Sequence, residues 1–143
     1  MKRIYLVLTL TVLLLAAPQF AYSQAVGEEP FQLYAPFTGV IIGAKDRATL
    51  DVKLKNMTDK GLSVKLELEK DEKAEGWEVM LLNSEWSGFG VSGVYLGTSD
   101  EDKEATVKLR IKPAEDAVAG EYRFIVKAST LDGAFSRTLP IVV

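Results

Sequence analysis

Apolar and polar side chains alternate with a period of two along several stretches of this chain. The cleanest are Leu50-Asp51-Val52-Lys53-Leu54-Lys55, Leu62-Ser63-Val64-Lys65-Leu66-Glu67-Leu68 and Val107-Lys108-Leu109-Arg110-Ile111-Lys112. A weaker copy is Tyr122-Arg123-Phe124-Ile125-Val126-Lys127. A period of two sends alternate residues to opposite faces of a strand, one packed and one in water. The inward set is then Leu50, Val52, Leu54, Leu62, Val64, Leu66, Leu68, Val107, Leu109, Ile111, Tyr122, Phe124 and Val126. Fully burying one such side chain stabilises by about 1.5–3 kcal/mol, so this set predicts a stable core without metal or disulfide.

Turn signals space these strands at about ten residues. Phe31 to Ile42 reads as a first strand interrupted by Pro36 and Gly39. Proline cannot donate to a ladder, which places this strand at a sheet edge. Ala48–Asn56 and Leu62–Glu69 follow, joined by the polar turn 56–61, and Lys70 to Gly76 is charged and solvated. Trp77–Leu82 is apolar on both faces, as in a strand covered on both sides. Then come Val94–Leu96, Thr106–Lys112, a connector over Ala114–Ala119 with a helical turn, and Gly120–Thr130. Leu131-Asp132-Gly133 is a hairpin cue, and Phe135–Val143 closes the chain with Pro140 again marking an edge. Seven to eight short strands at this spacing predict an all-β sandwich or barrel.

The N-terminus carries a different pattern. Lys2-Arg3 is a short positive region, Ile4 to Ala17 is an uncharged run of 14 residues, and Ala21-Tyr22-Ser23 offers small residues where a signal peptidase reads. This reads as a secretory signal over 1–23, a leader over 24–30 and one domain over 31–143. A second cleavage candidate is Ser23-Gln24-Ala25. The run is shorter than the roughly 20 apolar residues a spanning helix needs; an uncleaved anchor is the alternative. The expected product is exported and soluble.

Composition narrows the chemistry. The chain has 143 residues, 17 basic and 20 acidic, so without Lys2 and Arg3 its net charge is −5 (15 minus 20). That balance argues against nucleic acid or an anionic membrane surface as partner, since both demand a basic face. There is no Cys and no His, which removes disulfides, thiolate catalysis, Cys/His zinc sites and imidazole triads.

From Leu33 to Ser129 the order of features resembles the bacterial and archaeal Ig-like domain annexed to α-galactosidases, the NPCBM-associated domain. The residues that carry the resemblance are Thr49-Leu50-Asp51-Val52-Lys53-Leu54-Lys55-Asn56, Gly76-Trp77-Glu78-Val79, Gly93-Val94-Tyr95-Leu96, Val107-Lys108-Leu109-Arg110-Ile111-Lys112-Pro113 and Ala119-Gly120-Glu121-Tyr122. It implies an Ig-like antiparallel β-sandwich, an exported setting and no catalytic residues or cofactor. In such a sandwich a tyrosine at position 122 bonds back to the preceding corner, and Trp77, Leu109, Tyr122 and Phe124 are core.

The alternation fails between Asn83 and Tyr95, where Trp86, Phe89 and Tyr95 sit among Gly and Ser. Flat aromatic faces with small neighbours stack on sugar rings, with Asn83 and Glu85 in reach of hydroxyls. The structural alternative has Phe89 and Tyr95 folding inward and Trp86 covering the sandwich end. Asp100-Glu101-Asp102 and Glu104 invite a calcium reading, yet calcium needs six or more oxygens, and Lys103 intervenes; a solvated turn is the simpler account. Asn56-Met57-Thr58 fits a glycosylation sequon, a pattern short enough to arise by chance.

The sequence therefore predicts a non-catalytic Ig-like module with a structural or protein-interaction role at the cell envelope. Its partner would be an envelope or membrane protein. The alternative is a carbohydrate-binding module using Trp86, Phe89 and Tyr95 on a cell-surface polysaccharide. A hydrolase is a third class, for which paired carboxylates in a cleft would be the sign.

Overall fold

The computed structural model describes residues 28–86 and 88–143. The signal reading over 1–23, and most of the leader, lie outside the described residues. Eight strands follow in order: β1 Phe31–Tyr34, β2 Ala48–Asn56, β3 Leu62–Lys70, β4 Glu78–Leu82, β5 Gly93–Leu96, β6 Glu104–Lys112, β7 Arg123–Thr130 and β8 Ser136–Val142. They form two four-stranded sheets, β1-β2-β6-β4 and β5-β3-β7-β8, in which every strand pair is antiparallel. In immunoglobulin lettering the first sheet is ABED and β3-β7-β8 is CFG; β5 is an added edge strand beside C. The protein is an Ig-like β-sandwich.

The two-residue period sets the register. Leu50 stands opposite Leu109 and Val52 opposite Val107, while Leu66 faces Ala128 and Leu68 faces Val126. A slip of one residue would turn each row to the wrong face. Val52, Leu54, Leu109, Ile111, Phe124 and Val126 are wholly buried. Leu62 and Leu68, at the two ends of β3's inward row, are only partly buried against the core.

Four local readings change. β1 ends at Tyr34 instead of running to Ile42. Beyond Pro36 the chain leaves the first sheet and joins the edge of the second: Val40 N donates to Val142 O (2.9 Å) and Val142 N to Thr38 O (2.8 Å). The segment 70–76 is not wholly solvated, because Glu72–Ala74 forms a single 3-10 turn capped by the Asp71 side chain, with Ala74 buried. β4 begins at Glu78, after Gly76 takes φ 77° and delivers Trp77 into the core. β7 starts at Arg123 because residues 120–121 remain in the corner that precedes it.

β4 explains its own two-sided apolarity. Val79 and Leu81 face Ile111 and Leu109 across the ladder. Leu82 belongs to the outward row yet is fully buried and stands apart from the main core cluster. The loop after it folds back, with Leu82 bridging Gly90.

Candidate functional site

The aromatic loop runs from the edge of one sheet to the edge of the other. Val91 N donates to Leu81 O of β4 (2.7 Å), and Leu66 N of β3 donates to Ser92 O (2.8 Å). Arg110 reaches from the outward row of β6 to the Glu85 carbonyl (2.5 Å). All three aromatics are exposed: Trp86 by 86%, Phe89 by 63% and Tyr95 by 67%. Tyr95 pairs with Ser63 on the second sheet, while its neighbour Leu96 is buried. Its ring lies over Gly61, where an added Cβ would meet the phenol oxygen at 2.1 Å. Trp86 therefore follows a residue pinned to the first sheet, and Tyr95 projects from the second.

The acidic turn is occupied by internal bonds. Asp102 Oδ1 accepts from Ser99 N (2.9 Å) and Ser99 Oγ (2.6 Å). Asp100 pairs with Lys103, which holds its carboxyl below the usual range. Glu104 accepts from the Tyr34 hydroxyl at 3.0 Å and from Lys53 at 3.2 Å, and these bonds lower its pKa. Asp100, Asp102 and Glu104 serve different partners, and no metal-holding cluster occurs among the described residues.

A second candidate lies at the opposite end of β2 from the 56–61 turn, where the β1–β2 and β6–β7 connections meet the end of β8. Here Trp77 is 6% exposed and tilts 38° against Tyr122, ring centroids 4.3 Å apart; Phe124 lies 5.6 Å beyond. The Tyr122 hydroxyl donates to Val118 O at 2.6 Å, the corner bond of Ig-like sandwiches. Tyr122 and Val143 exchange backbone bonds at 2.8 and 2.9 Å. These bonds frame an apolar groove of about 290 Å³, walled by Val40, Ile41, Ile42, Ala117, Val118 and Val143 over Trp77 and Tyr122. Ile41 is fully exposed (101%) and Val118 74% exposed. A second cleft shares Ile41 and Ile42 and adds Lys45, Asp46, Arg47 and Lys112.

The sequence reading singled out Trp77 and Tyr122 for the core and passed over this groove. Part of its signal is present: Val118 is an apolar residue in the expected connection 114–119, whereas Ile41 and Ile42 read as the end of a first strand and are placed in a connection only by the fold. What the sequence does not show is that Ile41 and Val118, 77 positions apart (118 minus 41), share one end of the sandwich.

No protein-family model matches this chain, and no curated protein sequence matches it. Solved structures do share its shape. A FixG-related protein from Vibrio parahaemolyticus superposes with a TM-score of 0.52 at 7% identity, over 80% of this chain and 94% of that one. A family 123 glycoside hydrolase from Clostridium perfringens gives 0.58 at 11% identity, over 79% of this chain and 26% of the hydrolase. Identities this low establish a shared β-sandwich fold and nothing of activity.

Proposed function

We propose that this chain is an exported, non-catalytic Ig-like module that works at the cell envelope by binding another protein. The observation that carries the binding reading is the pair of large apolar side chains left in water around one apolar groove at the end of the sandwich, Ile41 in one connection and Val118 in another. Exposed apolar patches of this kind mark interaction surfaces. The ordered resemblance to the α-galactosidase-associated domain supports an accessory role, and the Lys2–Ala17 pattern supports export. The non-catalytic reading draws support from where the perturbed groups lie. Lys53, Glu67, Asp100, Glu104 and Asp132 owe their shifts to surface pairs and turn bonds, and Tyr34 is raised by burial first and by its bond to Glu104 second.

Ile41→Asp and Val118→Asp alter exposed side chains and leave the core intact. A protein retained from envelope extract by the parent, and lost by both variants, is the expected result. Equal retention by parent and variants overturns this assignment. Export has its own readout: the secreted product should begin at Gln24, and a product still carrying Met1 in the cell pellet contradicts it.

The exposure of Trp86, Phe89 and Tyr95 favours a second reading, binding of a cell-surface polysaccharide. It requires a change in tryptophan fluorescence on adding glucan or galactan that Trp86→Ala abolishes.

A further inference from the structure

We propose that the end groove binds a single-chain anionic amphiphile, its alkyl chain against Trp77 and its acidic head met by Lys45, Arg47 and Lys112. This goes beyond a protein partner and rests on two adjoining features. The first is the groove. At about 290 Å³ it sits at the lower edge of the roughly 300–1,000 Å³ of small-molecule sites. A water claims about 30 Å³ of liquid, so it has room for on the order of ten methylene-sized groups. Several of its polar atoms already have partners. Val40 N is bonded to Val142 O, Tyr122 and Val143 bond each other, Ala117 N is bonded to Ala114 O, and the Tyr122 hydroxyl is bonded to Val118 O. An extended peptide lying here would bring backbone N–H and C=O groups that need partners. An alkyl chain brings none.

The second feature is charge. The neighbouring cleft shares Ile41 and Ile42 with the groove and carries Lys45, Arg47 and Lys112 against one carboxylate, Asp46. Glu78 stands across from Lys112 on β4. None of the three cations makes an ion pair with a described residue. Three cations beside one end of an apolar groove, in a chain of net charge −3, match a ligand that is apolar along its length and negative at one end.

Trp77 is the reporter. The full chain has two tryptophans, and Trp86→Phe removes the other. Titrated with decanoate, this variant is expected to show a saturable change in Trp77 emission well below the concentration at which decanoate forms micelles. Decanol should bind more weakly, and decyltrimethylammonium weaker still. From hexanoate to decanoate each methylene should tighten binding about fourfold. Val118→Asp should abolish the response, and Lys45→Ala with Arg47→Ala should weaken decanoate about tenfold and leave decanol unchanged. Melting temperatures equal to the parent's are expected as the control that these exposed substitutions leave the fold intact. A flat titration, equal binding of the cationic probe, or an undiminished response in Val118→Asp overturns the proposal. So does binding to anionic vesicles without binding to free decanoate, which would make this end a membrane contact. Each of these results leaves the envelope-protein reading standing, because that reading is scored by capture from extract.

Discussion

Asn56 is the buried polar residue among those described, and its side chain is fully engaged. Nδ2 donates to Lys60 O (2.7 Å) and Gly97 O (2.8 Å), with a longer contact to Leu96 O (3.4 Å). Oδ1 accepts from Thr58 N (2.9 Å) and Thr58 Oγ1 (2.8 Å). The amide thus ties the β2–β3 turn to the end of β5. Asn56→Ala leaves buried carbonyls without a donor, at roughly 1–3 kcal/mol for each unsatisfied group, so urea unfolding should show a loss of about 2–3 kcal/mol. The same geometry closes the sequon. The nitrogen that a glycosyl transfer needs lies inside the turn, and the intact mass of folded chain exposed to a glycosylating extract should be unchanged. Tyr122→Phe is the sparser change. It keeps the ring against Trp77 and removes only the bond to Val118, so stability should fall by about 1 kcal/mol; a neutral result would mean the corner is held by packing alone.

At the scale of elements, the alternating strands were legible because one residue type per position decides a face. Leu50, Val52, Leu54 and Val107, Leu109, Ile111 show their inward faces in the sequence itself; that β2 pairs with β6 appears only in the fold. The first strand was less legible. Its residues 38–42 form no strand, and Thr38 to Val40 bond β8 of the other sheet; nothing in a local pattern states which sheet a segment joins. Leu82 misleads in the same way, since its burial depends on a loop that returns to it. Leu82→Ala should therefore loosen the 83–90 loop more than the sandwich. Limited proteolysis is expected to cut that loop first, while the far-ultraviolet spectrum stays that of the parent. Gly133 offers a cleaner measurement. It sits at φ 70° in the β7–β8 hairpin, and an added Cβ would meet nothing within 4 Å. Gly133→Ala thus isolates the left-handed backbone penalty, about 1–2 kcal/mol, from any clash. A smaller loss in a denaturant titration would mean that the hairpin has shifted to another turn.

At the scale of the molecule, the sum of charges misdescribes the surface. The described residues carry 15 cations and 20 acids, net −5. The outward rows of β2 and β6 alone carry Lys53, Lys55, Lys108, Arg110 and Lys112 against Asp51 and Glu104, net +3 (five minus two). Everything else is then −8 (−5 minus 3), so the net charge hides a basic face on the first sheet. The same surface pairs set the response to pH. Glu104 is lowered by the Tyr34 hydroxyl and then Lys53, Asp132 by the Thr130 hydroxyl, Glu67 and Asp100 by Lys65 and Lys103. A lowered carboxyl stabilises the fold above its unfolded pKa, and that stability disappears as pH falls through the folded value. Tyr34 is raised, by burial first and by Glu104 second, and Lys53 is raised by its bond to Glu104. Those contributions are complete below the unfolded values near pH 10 and disappear as pH rises through the folded ones. With no His and no Cys, no side chain titrates between these limits unless strongly shifted. The melting temperature should hold a plateau from about pH 5 to 9, falling below about pH 4 and above about pH 10. Glu104→Gln alters both shoulders, since the one carboxylate holds both Tyr34 and Lys53. A variant that changed only the acid shoulder would separate that triad into independent pairs.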